Sequence, residues 1–247
     1  MPRSAAGPSP AQQILDAEST LCERLDSLSF SLPVTHVYNP LRYGAEPHRD
    51  YITRFARPGI EALLLGMNPG PWGMAQTGVP FGEVGLVRDW MGVRGRVARP
   101  ANEHPRRPVL GFACARSEVS GARLWGWARD RFSTPDAFFQ RFFVYNYCPL
   151  CFMEESGRNL TPDKLPLREA MPLLQACDET LRAVVKALKP GMLIGVGGYA
   201  ARRLRGACPE YDGRTSEILH PSPASPAANR GWQAAAERQL AEAGIKV

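Results

Sequence analysis

No run of apolar residues in this 247-residue chain approaches the ~18 needed to cross a bilayer, and the N-terminal stretch has no apolar core of signal-peptide length. A membrane protein is therefore not expected, nor an exported fold stapled by disulfides. The six cysteines, Cys22, Cys114, Cys148, Cys151, Cys177 and Cys208, are scattered and read as reduced thiols. Builders of a metal centre are scarce as well. There are four histidines and no His-Glu-x-x-His pattern, and the pair Cys148-Pro-Leu-Cys151 has zinc-knuckle spacing but no second close pair to complete it. No metal site is expected. An acidic surplus is also missing: 30 Lys and Arg stand against 24 Asp and Glu, for a formal charge of +6 and a pI of about 9.2. The excess gathers in arginine clusters, at Arg94, Arg96 and Arg99, at Arg106 and Arg107, and at Arg202, Arg203 and Arg205. An anionic partner fits such a surface, although any one cluster also reads as a solvated face. Internal repeats and long linkers are absent. Residues 1–11, rich in Pro, Ser and Ala, are expected to be a disordered tail, and residues 12–247 a single domain. No targeting address is evident. An Ala- and Arg-rich composition favours the cytosol of a bacterium, with the nucleus as the alternative in a eukaryote.

What is present is a succession of short apolar runs that end in polar or glycine residues. Ala62 to Leu65 leads into Gly66-Met67-Asn68-Pro69-Gly70-Pro71-Trp72-Gly73. Phe142 to Tyr145 ends in Asn146, Met192 to Val196 ends in Gly197-Gly198, and Glu217 to Leu219 ends in His220-Pro221-Ser222-Pro223. Helical spacing lies between them. Gln12 to Phe30 places Leu15, Leu21, Leu25 and Leu28 on one side. Val84 to Met91 is helix-like. Arg168 to Lys189 repeats apolar residues at threes and fours, and Ala227 to Ala243 sets Trp232, Ala236 and Leu240 on one face. Strand alternating with helix predicts an α/β fold, a parallel sheet covered on both faces. Such sheets bind ligands beyond the carboxyl ends of their strands. Asn68, Asn146 and His220 all fall there, so three polar side chains are expected to converge on one rim.

In the loop after the first run, two prolines fix φ and withhold donors, while glycines allow close backbone approach. One amide, Asn68, stands at its mouth. It reads either as a turn asparagine or as a group that orients a small molecule or a water. A further pattern, Gly195-Val-Gly197-Gly-Tyr-Ala200, matches the loose dinucleotide fingerprint G-x-G-x-x-A, with Glu217 near the offset of a ribose-binding acid. Close packing of strand on helix accounts for those glycines equally well.

Three segments carry a specific resemblance. Gly66 to Glu83 reads GMNPGPWGMAQTGVPFGE, Tyr145 to Leu150 reads YNYCPL, and His220 to Trp232 reads HPSPASPAANRGW. They resemble the active-site segments of the single-strand-selective monofunctional uracil-DNA glycosylases, a branch of the uracil-DNA glycosylase superfamily. Tyr38 to Tyr43, Glu103 to Gly111, Ser117 to Arg123 and Asn159 to Pro162 resemble the same family, so the likeness runs from about Pro33 to Gly244. The chain departs from the family where Ala224 replaces an arginine of vertebrate members, where Ala45 replaces a frequent aromatic, and where Trp72 replaces the usual Phe.

The resemblance implies a three-layer α/β/α sandwich around a mainly parallel sheet, neither metal nor organic cofactor, and hydrolysis of the N-glycosidic bond of a base flipped out of DNA. It implies Asn68 and His220 as catalytic residues, holding the attacking water and hydrogen-bonding O2 of the base. It assigns Met67, Gly70, Phe81 and Asn146 to the base, with Phe81 stacking and Asn146 reading the polar edge. Pro221, Ser222, Pro223, Ala224, Ser225, Asn229 and Arg230 would form the element that wedges into the duplex. The expected partner is single- and double-stranded DNA containing uracil or a 5-substituted uracil such as 5-hydroxymethyluracil, bound by a monomer. No lysine falls in the three segments, so an abasic product without strand cleavage is expected. Alternatives are a uracil-only enzyme, a catalytically weak damage-binding relative, and a nucleotide-dependent enzyme resting on the Gly195 segment.

Overall fold

The computed structural model describes residues 7–247. In chain order its helices are α1 (Pro10–Asp26), α2 (Pro40–Tyr43), α3 (Ala45–Phe55), α4 (Met74–Thr77), α5 (Val119–Phe132), α6 (Pro135–Phe139), α7 (Leu167–Leu188), α8 (Gly198–Ala207), α9 (Pro226–Asn229) and α10 (Trp232–Glu242). The strands are β1 (His36–Tyr38), β2 (Ala62–Gly66), β3 (Phe142–Asn146), β4 (Cys151–Met153), β5 (Asn159–Leu160), β6 (Met192–Val196) and β7 (Arg214–Ile218).

Four strands form the central sheet in the order β3-β2-β6-β7, all parallel. Registry aligns their carboxyl ends: Gly66 pairs with Asn146, Leu65 with Gly195, and Val196 with Ile218. Every residue of β2, β3 and β6 is buried, as expected for strands covered on both faces. Helices α1, α7 and α8 pack together as one layer, and α5, α6 and α10 as another. This is the α/β/α sandwich expected. At the open edge of β3, Tyr51 of α3 donates from its hydroxyl to Val144 O at 2.8 Å.

Several local expectations are corrected. Of the tail expected over residues 1–11, residues 1–6 lie outside the described residues. Pro10 and Ala11 already belong to α1, because Ser9 Oγ accepts from Gln12 N and Pro10 supplies a pre-set φ at the first helical position. That helix ends at Asp26 rather than continuing to Phe30. The last strand spans Arg214–Ile218, not Glu217 to Leu219. It is an edge strand with mostly exposed side chains, so only its end is apolar. The helix expected over Ala227 to Ala243 is broken into α9 and α10 at Gly231, whose φ of +143° no helix accepts. The helix-like reading of Val84 to Met91 holds, with Leu86–Trp90 in π-helical form. A small antiparallel sheet, β1-β4-β5, stands beside the parallel one and has no counterpart in the strand-and-helix reading.

Candidate active site

The floor of the site grows from the ends of β2 and β3. Backbone pairing continues past both strands, with Tyr147 N donating to Gly66 O at 3.0 Å and Cys148 N to Met67 O at 2.9 Å. Met67 and Asn68 are thereby laid alongside residues 147–148. Asn68 Nδ2 donates to Leu150 O at 3.1 Å, which turns its Oδ1 outward as an unpaired acceptor among the described residues. Asn146 is 6% exposed, and its Nδ2 donates to the thioether of Met74 at 3.3 Å. Sulfur only accepts, so this contact selects the amide nitrogen and leaves Oδ1 and the second N–H for the cavity. Between the two strand ends, Gly66 permits a close approach. A Cβ there would collide with Asn146 Oδ1 and with the Phe81 ring.

Phe81 arrives on the same floor by a strained backbone. Its φ is +54°, a left-handed conformation that costs a non-glycine residue about 1–2 kcal/mol. The surroundings hold it there. Glu83 N donates to Phe81 O at 2.7 Å, Trp125 Nε1 to Pro80 O at 3.1 Å, and Thr77 Oγ1 to Gly82 O at 3.2 Å.

The wall rises from β7. His220 is half-buried, and its ring lies 5.8 Å from that of Phe81. Ser222 N donates to His220 Nδ1 at 3.1 Å, which places the proton of the neutral ring on Nε2. Burial lowers the imidazole pKa to about 4, because the site penalises the charged form. Behind it, Gly197 at φ +90° packs against the His220 side chain, where a Cβ would come within 3.0 Å of His220 Cβ. α10 clamps the preceding residue from both sides: Trp232 Nε1 donates to Leu219 O at 2.6 Å, and Leu219 N to Gln239 Oε1 at 2.7 Å.

Floor and wall enclose a cavity of about 570 Å³, which brings together Met67, Asn68, Gly70, Phe81, Asn146 and His220. A Cβ built on Gly70 meets nothing within 4 Å, so that side of the cavity is open. Ser222, Pro223, Ala224 and Ser225 line the mouth, with Pro223 and Ala224 exposed. Pro221 is buried beneath them. Of the remaining two residues assigned to the wedge, Arg230 is exposed. Asn229 is exposed as well, but its side chain is engaged within the loop: Nδ2 donates to Pro223 O at 2.9 Å, and Oδ1 accepts from Arg123 Nη2 at 2.9 Å.

Arg123 was not among the expected site residues. It also donates from Nη1 to Pro221 O and Ser222 O, so one guanidinium of α5 braces the whole loop. Glu118, Ser120, Asn159 and Thr161 line the cavity and were likewise not singled out. Glu118 caps α5, accepting from Ser120 N at 3.1 Å and from Gly121 N, and burial pushes its carboxyl above the usual range. The segments Ser117 to Arg123 and Asn159 to Pro162 held the available signal, since both resembled the family.

The arginine clusters divide. Arg203 is not a free cation: it pairs with Asp178 at 2.5 Å and stacks over Tyr147. The Gly195 segment is close-packed, since a Cβ on Gly195 would run into Ala201 of α8. The six cysteines are unpaired and buried. Among the described residues no group of three or more His, Cys, Asp or Glu is placed to hold a metal ion, and no helix is long and apolar enough to cross a membrane.

The sequence profile of the uracil DNA glycosylase superfamily matches residues 54–242. The single-strand selective monofunctional uracil-DNA glycosylases of Rattus norvegicus and Mus musculus are each 50% identical over 239 residues, covering 95% of this chain and 85% of theirs. That of Bos taurus is 49% identical over 245 residues, covering 96% and 89%. The crystal structure of wild-type Pedobacter heparinus SMUG2 superposes with a TM-score of 0.64 at 15% identity, over 92% of this chain and 96% of that one, a likeness of fold.

Proposed function

The chain belongs to the single-strand selective monofunctional uracil-DNA glycosylases of the uracil DNA glycosylase superfamily, and on that premise we propose that its cavity takes an extruded uracil and severs it from the sugar. The protein is a DNA repair hydrolase acting on the N-glycosyl bond. What carries the assignment of the site is the convergence of Asn68, Phe81, Asn146 and His220 on one cavity.

In the proposed mechanism the base leaves the stack at a cost of a few kcal/mol, least in single strands. Phe81 stacks on it. Asn146, oriented by Met74, donates to O4 and accepts from N3–H. Cytosine presents the opposite pattern and would leave both buried groups unpaired. His220, neutral with its proton on Nε2, donates to O2. As the bond lengthens, charge gathers on O2 and that hydrogen bond strengthens, an effect typically worth ~3–4 kcal/mol. Asn68 Oδ1 accepts from the attacking water. An amide is no base, so the uracil anion departs largely before water adds. The product is an abasic site.

The open side at Gly70 supports a wider substrate range. The space there suits a water beside C5 of the base. A 5-hydroxymethyl group can displace that water and replace its hydrogen bonds, whereas a methyl displaces it and replaces none. The glycosylase therefore excises 5-hydroxymethyluracil as well as uracil and rejects thymine. The test is incubation with oligonucleotides carrying each base, in chelator, followed by alkali. Abasic sites at uracil and at 5-hydroxymethyluracil are expected. Gly70→Tyr should lose the second substrate and keep some activity on the first. Equal treatment of both bases by that variant would remove Gly70 from C5.

A further inference from the structure

Beyond Pro71, which lines the cavity, the chain turns out to Trp72. Two guanidiniums meet its ring, that of Arg116 at 4.6 Å and that of Arg107 at 5.4 Å from the centroid. Neither arginine has an acidic partner among the described residues. That sets them apart from Arg203, whose charge Asp178 already takes. The three residues come from separate stretches of chain, and a buried amide joins two of these stretches. Gln76, fully buried, donates from Nε2 to Pro71 O at 2.9 Å and to Pro108 O at 3.0 Å, and its Oε1 accepts from Leu110 N at 2.8 Å. The backbone of Arg107 is pinned at both ends, its N–H donating to His104 O at 2.9 Å and its carbonyl accepting from Tyr38 Oη at 2.8 Å.

We propose that Trp72, Arg107 and Arg116 form a backbone clamp for the damaged strand, in which the two guanidiniums take phosphate oxygens beside the extruded nucleotide and the indole holds them in place. Three considerations favour a phosphodiester. A guanidinium stacked on an aromatic ring can present in-plane N–H groups in a fork that matches phosphate oxygens; Arg116 has all of its own to give, whereas Arg107 already donates from Nη1 to Arg106 O at 2.8 Å and offers Nη2. A rigid mount means that little freedom is lost on binding. The position adjoins Pro71, which lines the cavity, so a strand whose nucleotide is extruded into the cavity would run close by. The clamp rests on the proposed reading of the cavity, and it explains how a loop that holds the water residue Asn68 is also registered on the strand.

The test is the salt dependence of binding to an undamaged single-stranded oligonucleotide, which involves no catalysis. Each phosphate contact contributes about −0.7 to the slope of log K against log salt on single strands. Arg116→Gln and Arg107→Gln should each flatten the slope by about 0.7, and the double variant by about 1.4. Trp72→Ala should flatten it too, and Trp72→Phe less. Arg214→Gln, at the amino end of β7 and so at the far end of the sheet, serves as control and should leave it unchanged. Slopes of the Arg107 and Arg116 variants equal to wild type, or a change matched by Arg214→Gln, would overturn the clamp. Loss of uracil excision by the wild-type protein would instead overturn the reading of the cavity, so the two failures are separable.

Discussion

Floor and wall of the cavity are built differently. The floor stands on β2 and β3, buried strands whose backbone pairing runs on past their ends into Met67 and Cys148. The wall stands on β7, an exposed edge strand, and is held by side chains: Arg123, Asn229, Trp232 and Gln239. Beneath the floor lies a further buried device. His48 Nδ1 donates to Gly78 O at 2.7 Å and its Nε2 contacts Glu18 at 2.9 Å, while Tyr145 Oη donates to the same carboxylate at 2.9 Å. Two acceptors on one imidazole call for two protons, and the negative charge of Glu18 raises the His48 pKa against the desolvation that opposes it. α1 is thus tied through one ion pair to the turn before Phe81 and to the strand that carries Asn146. A floor of this kind belongs to the fold, so damage to it should appear as lost stability. A wall held by a few side chains should lose rate while the fold survives.

The largest expected effect lies under the floor. His48→Ala leaves Glu18 buried without a cationic partner, which typically costs about 3–5 kcal/mol. Chemical denaturation should report that loss. A variant as stable as wild type would mean the pair is not charged. The pH dependence carries the sign: a raised folded pKa means the stabilisation is complete below the ordinary value of 6.5 and is lost as pH rises through the folded value. The melting temperature of wild type, but not of His48→Ala, should therefore show this fall on the alkaline side.

Next come the reacting groups of wall and floor. His220→Ala should slow single-turnover excision by roughly 10²–10³ with DNA affinity little changed, and Asn68→Ala should also slow the chemical step. A loss seen only in binding would remove either residue from its proposed role. A smaller effect is expected at the brace. Arg123→Gln should reduce single-turnover rate about tenfold, the equivalent of ~1.4 kcal/mol, with an unchanged melting temperature. Equal rates in that variant would show that the loop keeps its shape without the guanidinium.

Much of the site could be read in the sequence because Asn68, Asn146 and His220 each terminate an apolar run, and parallel strands bring such ends together. Phe81 followed from the family likeness, since an aromatic after a proline otherwise reads as core. Glu118, Asn159 and Thr161 reach the cavity, and Arg123 of α5 the loop at its mouth, from segments that only the family likeness marks, since no apolar run ends at them. The β1-β4-β5 sheet rests on strands of two and three residues, too short to register as alternation. Arg203 read as one of a basic cluster because its partner Asp178 sits on another helix. Glu18 lay on the buried stripe of α1, where only the fold reveals the histidine it meets.

The proposed chemistry turns on a neutral His220 polarising O2, and the pH dependence of single-turnover uracil excision from bound DNA tests it most directly. A ring whose pKa is lowered to about 4 predicts a rate constant that stays level as pH falls through 6.5, the ordinary histidine value, and declines only near about 4. A decline centred near 6.5 that disappears in His220→Gln would contradict it, since the imidazole would then titrate as an ordinary surface histidine.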